Sequence, residues 1–217
     1  MKTAAIFGAT GLVGKELLNQ LVDNDYYAKV IVFNRRKQNY SNPKIEEHIF
    51  KADDFESIEA LLVADDLFCS IGTTMKKAGS KAAFKKVDFD IPLNLARIAE
   101  KNKISKLLVV SSVGADAKSN NFYLRTKGEM EQEVLKHAIP SIFFFRPSML
   151  LGKRNEQRLG EQFGQKAMKL TGFLMIGKLK KYKAVSAYLV AKAMQKVAKE
   201  GFAGNFIESD KLWDLGE

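Results

Sequence analysis

The chain of 217 residues contains one cysteine, two histidines and four prolines, and it has no long apolar run. A lone cysteine, Cys69, excludes a disulfide framework and a cysteine-rich zinc site, and His48 and His137 are too isolated in the sequence to suggest a metal site. No apolar run reaches the ~18 residues that a membrane-spanning helix requires. Residues 1–7 lead directly into a glycine motif and lack the layout of a signal peptide. We therefore expect a cytoplasmic protein that makes no membrane contact.

The rest of the composition is typical of a globular protein. Hydrophobic residues make up 46% and charged residues 28%, which excludes a disordered chain. The net charge of +10 is unevenly placed, because residues 151–199 carry 12 Lys/Arg and two acidic residues while the rest carries 23 of each sign. This basic segment is either a solvated lysine-rich face or a surface that concentrates anions, such as cofactor phosphates or an anionic substrate. We expect no nucleic-acid partner.

Apolar runs alternate with segments of helical period, which predicts βαβ units and a parallel sheet. The predicted strands are residues 4–7, 30–33, 48–50, 67–71, 107–111, 142–145 and 205–207. The predicted helices are one that ends near residue 23, then 55–63, 82–100 with a kink at Pro92, 123–137 and 185–198. We expect one α/β domain over residues 1–217, a Rossmann-like doubly wound parallel sheet with helices on both faces. Residues 151–217 would contribute a small substrate-covering part and the last strand.

The first predicted strand leads into the sequence GATGLVG, a GxxGxxG loop that opens an amphipathic helix. Gly8, Gly11 and Gly14 allow the backbone to turn sharply and to approach a pyrophosphate, which then lies over the positive end of the helix dipole. The strand before the loop and the helix after it favour a dinucleotide site over a tight turn without a ligand.

The sequence after the second predicted strand indicates which dinucleotide binds. Proteins that prefer NAD place an acidic residue there to hold the ribose 2′-hydroxyl. This chain has Arg35 and Arg36 instead, and guanidinium groups bind phosphate through charge-assisted hydrogen bonds. The sequence therefore predicts NADP(H) as the cofactor.

Tyr123 and Lys127 form a YxxxK motif on a predicted helix, where residues i and i+4 share a face. The Lys127 ammonium can then approach both the phenol and a cofactor ribose, and a nearby cation lowers the pKa of a tyrosine. A phenol in that state can exchange a proton with a carbonyl/alcohol pair.

Placement separates this motif from two others with the same spacing. Tyr40 and Lys44 flank a proline in a predicted loop, and Tyr188 and Lys192 follow the sixth strand. Only Tyr123 begins the helix after the fifth strand, next to the carboxyl edge of the sheet, where ligands of such folds bind.

Two serines, Ser111 and Ser112, end the fifth predicted strand at that same edge. Either hydroxyl could hydrogen-bond the substrate oxygen while Tyr123 transfers its proton.

These motifs, in this order, resemble the short-chain dehydrogenase/reductase superfamily. The segments NRRK, VVSSVGADAKSNNFYLRTKGEME and FRPSMLLGKRNEQRLGE resemble, more narrowly, its atypical branch, that of the human Tat-interacting-protein oxidoreductase. The resemblance covers nearly the whole chain, from GATGLVG and FCSIGTTMKKAG to the terminal WDLG. The interval of 12 residues between Ser111 and Tyr123 fits the usual spacing of the superfamily only loosely, and we favour Ser112 as the catalytic serine.

The resemblance implies a set of cofactor contacts, in addition to a catalytic Tyr123. It places Thr10, Gly11, Leu12 and Val13 along the pyrophosphate, and Arg35 and Arg36 at the adenosine 2′-phosphate. Ile71 and Gly72, after the fourth strand, would border the cofactor, and Lys127 would contact the nicotinamide ribose. Leu150 and Arg158 would close over the nicotinamide side.

The leading interpretation is an NADP(H)-dependent oxidoreductase that acts on a small-molecule carbonyl or alcohol. The alternative is a regulatory protein that senses NADP(H) without turnover, although a sensor has no chemical need for an activated phenol. A semialdehyde-type dehydrogenase has a similar start but needs a nucleophilic cysteine on a large second domain.

Residues 166–183 mix apolar residues with lysines and could lie on a membrane, but we favour a lid over the pocket. The chain would be a monomer or a homodimer.

Overall fold

The computed structural model describes residues 1–152 and 181–217, and seven of its strands form one parallel sheet. These strands are β1 (Lys2–Phe7), β2 (Tyr27–Asn34), β3 (Ile45–Ile49), β4 (Asp66–Cys69), β5 (Lys106–Val110), β6 (Ser141–Arg146) and β9 (Phe206–Glu208). Their order is β3-β2-β1-β4-β5-β6-β9, and each neighbouring pair is parallel. The chain reverses its direction across the sheet between β1 and β4, which is where ligands bind in doubly wound folds.

Helices cover both faces of this sheet. They are α1 (Leu12–Val22), α2 (Glu56–Glu59), α3 (Met75–Ala78), α4 (Lys81–Lys85), α5 (Ile91–Lys101), α6 (Phe122–Val134), α7 (Ala187–Glu200) and α8 (Ser209–Gly216). The core on one face joins α1, α7 and α8 to the sheet, and the core on the other face joins α5 and α6 to it. The predicted Rossmann-like doubly wound fold is confirmed.

The predicted helix at residues 82–100 is helical throughout in the structure, from Lys81 to Lys101. A π-helical turn (Lys86–Asp90) joins α4 to α5, and Pro92 lies just beyond that turn. A π turn inserts an extra residue into the helix and changes which side chains point inward. Asp88, within this turn, is buried, at 1% exposure.

The C-terminal part differs from the prediction in its details. Val185–Ser186 is a short strand, β8, paired with β7 (Leu150–Leu151), and the helix predicted at 185–198 begins only at Ala187. The last helix, α8, was not predicted. Arg158 and most of the predicted lid at 166–183 lie outside the described residues. Among the helices that the structure describes, none is long and apolar enough to cross a membrane.

Candidate functional site

The glycine loop lies at the carboxyl end of β1 and turns directly into α1. Gly8 has a φ of +92°, and the Gly11 N–H donates to the Gly8 carbonyl at 2.9 Å. The first helical bond runs from the Lys15 N–H to Gly11 O, and no side chain caps the helix, so the N–H groups of its first turn are available to another acceptor. The first turn also contains no acidic residue. This uncapped end of an 11-residue helix suits an anion.

Exposure differs among the loop residues for which the resemblance implies a pyrophosphate contact. Thr10 and Gly11 are exposed, Leu12 is half-buried, and Val13 is buried in the core. Val13 can therefore face a ligand only with its backbone, and so can Gly11, which has no side chain, whereas Thr10 and Leu12 can present side chain or backbone.

The end of β4 packs against this loop. Ser70 donates both its N–H, at 2.9 Å, and its hydroxyl, at 3.0 Å, to Phe7 O. A Cβ on Gly8 would lie 2.8 Å from the Ser70 carbonyl carbon, so the two loops touch. The next residues, Ile71 and Gly72, are half-buried and exposed, respectively, and lie at the rim of the crevice between β1 and β4.

Arg35 and Arg36 follow β2 and are exposed. Neither guanidinium has an ion-pair partner within residues 1–152 and 181–217. Their loop is held by Glu47 of β3, whose carboxylate accepts hydrogen bonds from Gln38 N–H (2.8 Å), Asn39 N–H (3.1 Å) and the Asn34 amide (2.8 Å). Burial opposes ionisation of Glu47, but these hydrogen bonds outweigh it and lower its pKa.

Tyr123 is fixed at the start of α6. The Asn121 side chain caps the helix by accepting the N–H groups of Tyr123 (2.9 Å) and Leu124 (3.3 Å). The Tyr123 ring packs against Phe84 of α4, with ring centroids 5.6 Å apart. Tyr123 is half-buried, so its ring is held by packing and still reaches solvent.

Lys127, one turn further along α6, is almost fully buried at 3% exposure. Its Nζ lies 2.8 Å from Oδ1 of Asp88, a residue that our sequence analysis did not select. Burial alone would lower the pKa of Lys127, but the Asp88 carboxylate and the Tyr123 phenol outweigh it and raise that pKa. The sequence did carry a signal for Asp88, since it is the one acid on the helical stripe that also holds Phe84, Ile91 and Leu95.

The first of the two serines after β5 continues the strand. The Ser111 N–H donates to Phe145 O at 2.7 Å, so the ladder with β6 continues through Ser111. Side chains alternate along a strand, which places Ser111 with Val109 on the face that α5 and α6 cover. The Ser111 hydroxyl is buried and has no hydrogen-bond partner among the described residues, whereas Ser112 donates to Val113 O at 3.3 Å. Our preference for Ser112 stays a prediction, but the geometry favours Ser111, because strand alternation places its side chain on the face that α6 covers and its hydroxyl has no other partner among the described residues.

The remaining residues with a predicted cofactor contact are Leu150 and Arg158. Leu150, in β7, is half-buried, and the strand leads to Gly152, where an added Cβ would lie 2.5 Å from Leu12 of the glycine loop. Arg158 lies outside the described residues. Burial raises the pKa of the Cys69 thiol to about 11, so this cysteine is protonated near neutral pH and is not a nucleophile.

The two other tyrosine–lysine pairs have separate contacts. The Tyr40 hydroxyl accepts a hydrogen bond from Asn34, while Lys44 donates to the carbonyls of Val22 and Asn24. Burial raises the pKa of Tyr40, although the Asn34 hydrogen bond lowers it slightly. Tyr188 is 51% exposed, and its lysine donates to the C-terminal residue. Neither pair has the buried ammonium that distinguishes Tyr123 and Lys127.

Solved structures with the same fold are dehydrogenases and epimerases. The ADP-L-glycero-D-manno-heptose-6-epimerase of Helicobacter pylori has a TM-score of 0.71 and 22% identity, covering 95% of this chain and 76% of that one. The UDP-N-acetylglucosamine 4-epimerase of Bacillus cereus has a TM-score of 0.70 and 16% identity, covering 96% and 76%. The Bordetella bronchiseptica enzyme WbmH, solved with NAD+, has a TM-score of 0.67 and 14% identity, covering 95% and 74%. At these identities the similarity shows the fold alone.

Sequence relatives are closer. "Protein FMP52, mitochondrial" of Candida albicans is 34% identical over 166 residues, which is 74% of this chain and 72% of the relative. "Protein HTATIP2" of Rattus norvegicus is 34% identical over 169 residues, 76% of this chain and 69% of the relative.

These relatives contradict one expectation from the sequence. Proteins similar to this chain in Candida albicans, Lodderomyces elongisporus and Aspergillus niger are named as mitochondrial, so the cytoplasmic assignment is wrong. That assignment rested on the missing secretory pattern, which does not bear on import into other organelles.

The family model HIM1 matches residues 28–184. The match includes the basic loop after β2, both serines, Asp88 and the tyrosine–lysine pair. The relative HTATIP2 confirms the resemblance to the branch of the Tat-interacting-protein oxidoreductase, and the solved structures confirm the fold. The chain belongs to the HIM1 family.

Proposed function

We propose that the protein is an NADP(H)-dependent oxidoreductase that interconverts a carbonyl and an alcohol, with Tyr123 as the proton donor and acceptor. The observation that carries the proposal is the buried Lys127, which is ion-paired with Asp88 and lies one helical turn from Tyr123 on α6. A buried ammonium stabilises negative charge that develops nearby more strongly than an exposed one, because the local dielectric constant is low.

The residues present fit a dinucleotide. Side chains are excluded at Gly8 and Gly14, where a Cβ would meet backbone at 2.8 Å and 2.7 Å, respectively, so the loop backbone can approach a pyrophosphate closely. The uncapped N-terminus of α1 supplies N–H donors for the phosphates, and the exposed guanidinium groups of Arg35 and Arg36 suit a 2′-phosphate. Ile71 and Gly72 would border the cofactor, and Leu150 and Arg158 would close over its nicotinamide side, as the resemblance implies.

When bound, the reduced nicotinamide supplies a hydride. In the reductive direction the Tyr123 Oη proton moves to the substrate oxygen, and Lys127 stabilises the phenolate that remains. The buried Ser111 hydroxyl is free to donate a hydrogen bond to the same oxygen, which would hold the carbonyl in place and stabilise its developing negative charge. In the oxidative direction the phenolate takes the proton back.

The proposal is tested with Tyr123→Phe on a panel of carbonyl and alcohol substrates. Phenylalanine keeps the ring that packs on Phe84, so folding and NADPH affinity should change little. Turnover should fall by about 10²–10⁴-fold, the usual contribution of a positioned acid–base group. Tyr40→Phe and Tyr188→Phe are matched controls and should stay within about two-fold of the unaltered protein.

Two outcomes would overturn this assignment. Full turnover in Tyr123→Phe would place the proton transfer on another group. Tight NADPH binding without turnover of any compound in the panel would replace the enzyme with the sensor.

A further inference from the structure

The ion pair between Lys127 and Asp88 connects three elements at the centre of the site. Asp88 lies in the π turn, and its Oδ1 is 2.8 Å from the Lys127 Nζ on α6. Its other oxygen, Oδ2, accepts the N–H of Thr73, in the loop after β4, at 2.9 Å. Both charged side chains are nearly inaccessible, at 4% and 1% exposure. The pair lies directly behind the rim of the crevice, since a Cβ on Gly72 would be 3.4 Å from Asp88 Oδ1.

A lysine buried this deeply needs a compensating charge to keep its proton. Burial disfavours the ammonium form and can lower a lysine pKa by several units when no partner is present. The other titratable groups that act on Lys127 are Tyr123 of α6 and Cys69 of β4. Cys69 is protonated and uncharged near neutral pH, and the phenol of Tyr123 is neutral whenever it holds its proton. Asp88 is therefore the group among the described residues that can hold Lys127 in its charged form.

We propose that Asp88 is a positioning residue that keeps Lys127 protonated and directed at Tyr123 and the cofactor ribose. The inference rests on the proposed function, because that function gives the Lys127 ammonium its two targets, Tyr123 and the cofactor ribose. Asp88 touches neither target itself and acts only through Lys127.

Removal of the carboxylate should make cofactor binding depend on pH. In the unaltered protein Lys127 stays charged across pH 6 to 9, since its pKa is raised above the ordinary lysine value, and NADPH affinity should be nearly constant there. In Asp88→Asn the pKa of Lys127 falls, so the ammonium is present at pH 6 and is lost as pH rises. NADPH affinity of this variant should drop by about ten-fold or more from pH 6 to pH 9. A ten-fold drop means that the pKa of Lys127 in the variant differs by about one unit between the free and the NADPH-bound protein. Asp90→Asn, in the same π turn but without an ion pair among the described residues, is the matched control and should behave as the unaltered protein.

A double-mutant cycle separates positioning through Lys127 from a general structural role. If Asp88 acts only through the ammonium, Asp88→Asn should not weaken NADPH binding further in a Lys127→Met background, and the two changes should be non-additive. The double variant also removes both buried charges together, so it should fold even if Asp88→Asn alone does not. A circular dichroism spectrum of each variant establishes that it is folded before titration.

The outcomes are distinct. Asp88→Asn with a flat affinity from pH 6 to 9, or effects of the two changes that add fully, would overturn the role of Asp88 while leaving the oxidoreductase intact. Unaltered protein that fails to bind NADPH would instead overturn the proposed function.

Discussion

Gly14 is the position where the structure predicts the largest effect of a single added methyl group. In Gly14→Ala the new Cβ would overlap the Gly8 carbonyl oxygen and would lie 2.7 Å from both the Gly8 carbonyl carbon and the Ser70 hydroxyl oxygen. Optimal contacts are about 3.5–4.0 Å, so the loop or α1 must move by more than 1 Å to relieve the overlap with the Gly8 oxygen. Alanine in a helix gains at most about 1 kcal/mol over glycine, whereas an overpacked site costs about 1–3 kcal/mol or more. The clash should therefore outweigh the helix propensity.

The expected result is a lower melting temperature together with weaker dinucleotide binding. A net loss of about 1–2 kcal/mol corresponds to roughly 2–8 °C for a chain of this length, measured by circular dichroism during heating. NADPH affinity, measured by fluorescence titration of the folded protein, should fall about ten-fold or more because the loop backbone has moved. Gly11→Ala is the control for stability: its Cβ would be 3.2 Å from Gly8 O, which a shift of a few tenths of an ångström relieves. A Gly14→Ala protein that melts and binds NADPH as the unaltered one does would refute the reasoning.

Two further predictions concern hydrogen bonds at other places in the sheet. Tyr27 donates to the buried Asp66 carboxylate at 2.8 Å. Burial raises the pKa of Asp66 above its ordinary value despite this bond. Ionised Asp66 therefore lowers the stability of the fold above that pKa, and this loss disappears as pH falls and the carboxylate is protonated. Tyr27→Phe should therefore lower the free energy of unfolding by about 1.5–3 kcal/mol at pH 7 and by less at pH 4, as urea titrations would show, and an equal loss at both pH values would contradict this. Glu47 holds the loop that carries Arg35 and Arg36, so Glu47→Gln should reduce the preference for NADPH over NADH by about three- to ten-fold in paired titrations. Its neighbour Glu46 pairs with Lys29 and His48 instead, so Glu46→Gln is the control. An unchanged preference for NADPH in Glu47→Gln would count against the role of the Glu47 carboxylate.

Local sequence signals were sufficient for most of the fold. The apolar runs at β1, β2, β4, β5 and β6 are buried on both faces of a parallel sheet, and such strands consist almost wholly of apolar residues. The edge strand β3 was predicted at residues 48–50 but runs from Ile45 to Ile49, because an edge strand is half-solvated and its sequence IEEHI has no apolar run to mark it.

The candidate site was predictable where it depends on short motifs and not where it depends on contacts between distant elements. The glycine loop and the YxxxK helix each lie within one segment, so their local geometry follows from spacing. The partner of Lys127 is Asp88, which lies on another element, and spacing within one segment does not show which residues of two elements meet. The orientation of Ser111 and Ser112 depends on how far the ladder with β6 continues, which the sequence alone did not give.

The central claim is that this site takes NADP(H), and the preference between the two dinucleotides tests it most directly. NADPH and NADH are titrated separately into the unaltered protein and into a variant with Arg35→Ala and Arg36→Ala. The unaltered protein should bind NADPH at least about ten-fold more tightly than NADH, roughly 1.4 kcal/mol, and the variant should lose most of that preference while its NADH affinity stays nearly constant. Equal affinities for the two dinucleotides in the unaltered protein would contradict the account.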